Sequence, residues 1–152
     1  MTDLTPTVEL HLSRTFAAPR ELVFAAFVEP ALLARWFGPE GWSVDPESID
    51  IDPRPGGNYH LTLVDDSDPA RRSPTNAKFT DIVENECIAS EETWDAPGIG
   101  PTEMHLIVEF ADDGDGTRLT LRQGPYTPRI ARMAQEGWER SFATLDKLLD
   151  PG

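Results

Sequence analysis

Few side chains in this sequence stand where their chemistry could be put to use, and the first of them is a carboxylate. Residues 87–95 alternate, which sets Ile88, Ser90, Glu92 and Trp94 on one side of a strand. A carboxylate turned toward an apolar interior has a raised pKa and can act as acid, base or ligand anchor. Glu92 is therefore the one candidate for catalysis. The alternative is a bulge, or a place at the sheet margin where Glu92 reaches water. Other inward polar groups come from the same alternation: Thr117 and Gln123 share a side with Leu119 and Leu121, and Tyr59 shares one with Leu61 and Leu63. Trp36, Phe37, Tyr59, Phe79, Trp94 and Trp138 supply the large aromatic surface that lines small-molecule cavities, and that equally fills a core. Met104 and Leu106 are the apolar inward positions of the strand at 103–111. Gly137, inside a helical pattern, costs about 1 kcal/mol relative to Ala. It therefore signals close approach by a ligand, a sheet residue or the surroundings of Trp138.

The remaining reactive residues read as structural. His11, His60 and His105 each lie opposite the apolar residues of their strands, so all three are expected to face solvent. A zinc site needs convergent ligands, so no metal site is expected. Cys87 opens a strand after Glu84-Asn85-Glu86, among acidic neighbours that would raise its pKa, and no adjacent base or helix start activates it. Three acidic groups occur, at Asp45, Glu47, Asp50 and Asp52; at Asp65, Asp66 and Asp68; and at Asp112, Asp113 and Asp115. None has calcium-loop spacing. Turn chemistry accounts for the last two, and a solvated strand face for the first. No nucleophile elbow, phosphate loop, dinucleotide fingerprint or zinc-protease motif is present, so no cofactor is expected.

The elements that must position these residues follow from periodicity and from punctuation by 11 Gly and 14 Pro. A strand is expected at 8–16, with Arg14 breaking its apolar side. Pro19 opens a helix through Leu22, Val23, Ala26 and Phe27, and Pro30 a second through Leu32, Leu33 and Trp36, stopped by Gly38-Pro39 and Gly41. A strand follows at Trp42 to Asp52, with Pro46 at an edge or bulge, then a Pro55-Gly56-Gly57 turn and a strand at 58–64. Residues 65–74 read as a polar loop. Strands at about 76–84, 87–95, 103–111 and 117–123 complete the set, with a hairpin turn at Asp112 to Gly116. The last element is a long helix with Thr127 as N-cap and Pro128 first. Its stripe is Ile130, Met133, Ala134, Gly137, Trp138, Ser141, Leu145 and Leu148, and its stop is Pro151. The order is strand, two short helices, six strands and a long helix; consecutive strands joined by tight turns make an α+β fold on a seven-stranded antiparallel sheet, and the long helix covers the apolar face.

The chain has 152 residues, 13 Lys and Arg against 27 Asp and Glu, and a formal net charge of −14. One domain is the expectation. The charge argues against nucleic acid and anionic membranes, which call for basic surfaces. One cysteine, no signal-type start and no apolar run of spanning length suggest a soluble, cytoplasmic protein.

Four stretches, AAPRELVFAAFVEPALLARWFGPEGW (17–42), RPGGNYHLTL (54–63), GTRLTLRQ (116–123) and EGWERSFATLDKLL (136–149), occur in an order that resembles the activator of heat-shock-protein-90 ATPase homologue family. That family lies within the START and polyketide-cyclase superfamily. The resemblance implies a single helix-grip domain over 1–152, with a seven-stranded antiparallel sheet curved around the C-terminal helix and a cavity between them. It does not fix an activity, because the scaffold hosts lipid carriers, hormone receptors, cyclases and chaperone regulators. The eukaryotic chaperone activator carries a further N-terminal domain, for which the start of this sequence leaves no room.

Three functions fit these residues. The first is binding of a small hydrophobic or aromatic molecule, with Trp36, Tyr59, Leu61, Phe79, Glu92, Trp94, Met104, Leu106, Leu121, Gln123, Gly137 and Trp138 as the expected contacts; it needs no catalytic constellation. The second is a chaperone co-factor or interaction module working through its acidic surface. The third is a cyclase-like enzyme using Glu92. Oligomeric state leaves no mark on the sequence.

Overall fold

The computed structural model describes residues 7–38, 41–96 and 100–149. Pro39 and Pro151, expected to stop helices, lie outside the described residues. In chain order the elements are β1 (Val8–Phe16), α1 (Arg20–Val28), α2 (Pro30–Trp36), β2 (Trp42–Val44), β3 (Asp50–Ile51), β4 (Asn58–Asp65), β5 (Asp68–Val83), β6 (Cys87–Ala96), β7 (Gly100–Asp113), β8 (Gly116–Tyr126) and α3 (Pro128–Leu149). The sheet runs β1-β8-β7-β6-β5-β4-β2, antiparallel at every pairing, with β3 also on β4. It curves around α3, with α1 and α2 between the first two strands of the chain. This is the α+β sheet-and-helix architecture expected.

Aromatic packing fills one end of the concave face. Phe27 meets Trp36 and Phe110 edge-on at 4.9 and 5.5 Å, and Phe142 of α3 meets Phe16 at 5.5 Å. Phe142 is fully buried, although it stood outside the expected helical stripe; Met133, which stood inside it, is 58% exposed. The buried face of α3 centres on Ala131, Ser141, Phe142 and Leu145, and Met133 precedes half-buried Ala134 by one residue, about 100° around the helix. Arg14 does interrupt the inward side of β1, and Asp146 of α3 answers its charge.

Two departures from the expected elements matter for the site. The strand expected over Trp42 to Asp52 is broken by a 3₁₀ turn at Pro46–Ser48. Asp45 caps the turn by accepting the Glu47 N–H at 3.1 Å. The Ser48 hydroxyl donates to the Asp45 carbonyl and accepts the Thr62 N–H at 2.8 Å, so a side chain replaces a ladder bond. Residues 65–74 are not a loop. A tight turn between Asp65 and Asp68 launches β5, whose first half pairs with β4 from Arg72 to Ala77. Its exposed polar residues gave no alternation to read. Pro74 is tolerated because β6 does not pair with this half; β6 joins β5 only from Lys78 onward.

The consequence is a fork. From Lys78–Glu91 outward, β5 and β6 separate, β5 staying with β4 and β6 with β7. Before β4, the expected Pro55-Gly56-Gly57 turn is formed, and a Cβ on Gly57 would stand 2.0 Å from the Asp52 carbonyl oxygen, so only glycine fits.

Candidate functional site

The end of the concave face that the aromatic cluster leaves open holds a cavity of about 90 Å³, within a recess of about 560 Å³ that includes its mouth. Its walls come from several elements. β4 contributes Tyr59 and Leu61, β5 Thr75 and Ala77, β6 Ser90 and Glu92, β7 Met104 and Leu106, and β8 Gln123; Phe37 follows α2, and Trp138 projects from α3. Registers explain the convergence: Leu61 pairs with Thr75 and Tyr59 with Ala77, while Ser90, Leu106 and Gln123 lie in one row across three strands.

Glu92 sits in the fork. Its Oε2 accepts the backbone N–H of Asn76 at 3.1 Å, taking the place of the strand bond that β6 no longer supplies. Burial raises its carboxyl above the usual range, offset in part by the Asn76 N–H and by His60. Both sequence alternatives are therefore partly realised: Glu92 is inward and lines the cavity, and it is also at a margin.

The other polar groups are partly committed. The Tyr59 hydroxyl donates to the Phe27 carbonyl at 2.8 Å, so Tyr59 is anchored at its phenolic end and stacks on Phe79 at 4.5 Å. Burial pushes its phenol upward. Gln123 accepts the Trp138 Nε1–H at 2.8 Å, which holds the indole at the cavity wall.

Seven of the twelve expected contacts thus line the cavity: Tyr59, Leu61, Glu92, Met104, Leu106, Gln123 and Trp138. The other five do not. Trp36 is buried in the aromatic cluster and is not part of the cavity wall, its indole N–H donating to the Ala26 carbonyl at 2.9 Å. Phe79 lies behind Tyr59, and Leu121 is fully buried. Trp94 packs edge-on to Tyr126 at 6.0 Å, its buried Nε1 without a hydrogen-bond partner among the described residues. Gly137 is half-buried on α3 beside Trp138 and outside the cavity wall. Thr75 and Ala77 were missed: Thr75 falls between the segment read as a loop and the strand expected from about 76, and Ala77, a small residue near the start of that strand, was not singled out. Phe37 and Ser90 carried a signal, as an aromatic after α2 and an inward position of β6.

The histidines do not form a metal centre: no group of three or more His, Cys, Asp or Glu among the described residues could hold an ion. They are less isolated than expected. Glu9 accepts from His105 at 2.7 Å and pairs with His11 at 2.8 Å, on the outer sheet face. The contact with His105 crosses β8 at Gly124, which pairs with His105 and leaves the space a side chain would fill. His105 is the main group holding the Glu9 carboxyl below its usual range. Burial, then Asp81, pushes the Cys87 thiol up, in keeping with its structural reading.

A curved antiparallel sheet gripping a long C-terminal helix over an apolar cavity defines a helix-grip protein of the START type. Residues 17–150 match the family described as "Activator of Hsp90 ATPase homolog 1-like protein", and the chain belongs to that family. Solved structures agree. A Chromobacterium violaceum protein is 26% identical, with a TM-score of 0.83 over 95% of this chain and 98% of that one. A Nitrosomonas europaea protein is 27% identical, with a TM-score of 0.77 over 93% and 94%. A Silicibacter pomeroyi protein, 24% identical at a TM-score of 0.78 over 93% and 97%, shares the fold. No curated protein matches the chain significantly. Among the described residues, no helix is long and apolar enough to cross a membrane.

Proposed function

We propose that the protein binds a small hydrophobic or aromatic molecule in the cavity between sheet and α3, in the cytoplasm. The observation that carries this reading is a cavity walled by aromatic and aliphatic side chains with a few polar groups at its rim. Its volume limits the occupant. Apolar cavities of about 150 Å³ take up benzene, so a cavity of about 90 Å³ in a recess of about 560 Å³ takes at most one ring that extends into the mouth, and not a sterol. An aromatic ring buries roughly 150 Å², worth about 4 kcal/mol at about 25 cal/mol per Å². That corresponds to millimolar affinity before ordering costs, so tighter binding needs a polar anchor.

The test is a ligand-observed NMR screen of single-ring compounds, run beside sterols, lipids, flavonoids and polyketides. Binding is expected for the single-ring set, and Ala77→Leu, which fills the wall, should weaken it at least about tenfold. Absence of binding across every class, with the cavity occupied by side chains, would overturn the reading.

The family match favours a second reading, a chaperone co-factor acting through its acidic surface. An Hsp90-type chaperone from the same cell should then hydrolyse ATP faster at saturating protein; an unchanged rate removes that role. A cyclase-like reaction would rest on Glu92 alone, the one acid–base group free to act among the described wall residues.

A further inference from the structure

The carboxylate in the cavity has no ion-pair partner among the described residues, and the nearby His60 lowers its pKa by less than burial raises it. Five carboxylates elsewhere are held against arginine: Asp45 by Arg72, Asp52 by Arg54, Asp65 by Arg71, Asp112 by Arg20 and Asp146 by Arg14. Glu92 forms no ion pair among the described residues, and it is the one charged side chain of the cavity wall. Its single hydrogen bond goes from Oε2 to the Asn76 N–H, leaving Oε1 without a partner among the described residues. The groups facing it are known from every neighbouring strand. His60 approaches from β4 and the Asn76 N–H from β5; Met104 stands opposite on β7; the Tyr126 phenol, pushed upward by burial and then by Glu92 itself, comes from β8. Lys78 of β5 is paired in register with Glu91, which points to the other side of β6 from Glu92.

We propose that the cavity takes a small organic cation, an ammonium group on a single-ring or short apolar body, with Glu92 as its counter-ion. This rests on the ligand-binding reading above and names its chemical class. An acceptor-only carboxylate with a free oxygen is the natural partner of an ammonium donor. The remaining walls suit the same ligand. Trp138 and Phe37 bring aromatic rings to the wall, Met104 a polarisable sulfur, and Leu61 and Leu106 an apolar bed. A net charge of −14 draws cations toward the protein as a whole. The competing ligand is a neutral carbonyl compound accepting from a protonated Glu92, and the two have opposite pH dependences. Ammonium binding needs the ionised carboxyl and weakens as pH falls through its raised pKa, whereas carbonyl binding strengthens.

Three probes of one size decide between them: benzylamine, benzyl alcohol and benzaldehyde, titrated by NMR against the wild-type protein and Glu92→Gln. The glutamine keeps an acceptor for the Asn76 N–H and leaves the overall charge strongly negative. Benzylamine should bind at least about tenfold more tightly than either neutral probe at pH 7.5. Its advantage should shrink on acidification and vanish in Glu92→Gln. Neutral probes bound as tightly as benzylamine, or a preference that survives in Glu92→Gln, would overturn the cation while leaving ligand binding standing. Failure of all three probes to bind would overturn both.

Discussion

Glu92 destabilises the empty protein in the state that would bind a cation. Its folded pKa is raised by burial. The stabilising form is therefore the protonated one, fully present below the ordinary glutamate value near about 4.3 and lost as pH rises through the raised folded value. Glu92→Gln should accordingly be more stable than wild type at pH 7.5, by less than about 1 kcal/mol because the group is partly solvated. The difference should close below about pH 4. Urea denaturation at the two pH values measures it, and a variant less stable at pH 7.5 would show that the Asn76 contact outweighs desolvation. Such a trade of stability for binding is common at functional sites.

Among the elements, the break in the expected second strand positions β4, and through it Tyr59 and Leu61. The 3₁₀ turn at Pro46–Ser48 keeps pace with β4 through two bonds to Thr62: the Thr62 carbonyl accepts the Asp45 N–H at 2.9 Å, and the Thr62 N–H donates to the Ser48 hydroxyl at 2.8 Å. Ser48→Ala leaves that amide without its partner and should cost about 1 kcal/mol, up to about 3 if water cannot reach it. Faster hydrogen exchange at the Thr62 amide would localise the loss. Undiminished protection there would mean that the β4 ladder holds the amide by itself. The fork between β5 and β6 acts at the same scale: where two strands part, a side chain rather than a backbone carbonyl satisfies Asn76, and a carboxylate comes to stand at a cavity rim.

Over the whole molecule, the acidic residues behind the charge of −14 are spread through turns, capped ends and outer strand faces, where a few are paired locally with arginine. The excess repels itself and opposes folding. Raising sodium chloride from 0.01 to 0.15 M shortens the screening length from about 30 Å to about 8 Å. Tm should therefore rise across that range, as followed by circular dichroism. A falling Tm would show that the surface ion pairs outweigh the net repulsion. The same field disfavours nucleic acid as a partner.

What the sequence determined by itself is local. Alternation along 87–95 set Glu92 inward, Thr127-Pro128 began α3, and Asp112 to Gly116 turned β7 into β8, because each depends on a few adjacent residues. The strands and the long helix were legible in the same way, and the family through the resemblance of four stretches between residues 17 and 149. Whether an inward residue meets a cavity or another side chain is a question of register and packing between distant strands. Trp36, Phe79 and Leu121 point inward as expected and are covered by neighbours, whereas Thr75 and Ala77 reach the cavity from a strand whose exposed half showed no hydrophobic period. Only the tertiary structure decided that β5 and β6 part at Lys78 and Glu91, since the open edge that receives Glu92 is made by a strand that is absent at that place, and no local pattern of residues encodes an absent neighbour.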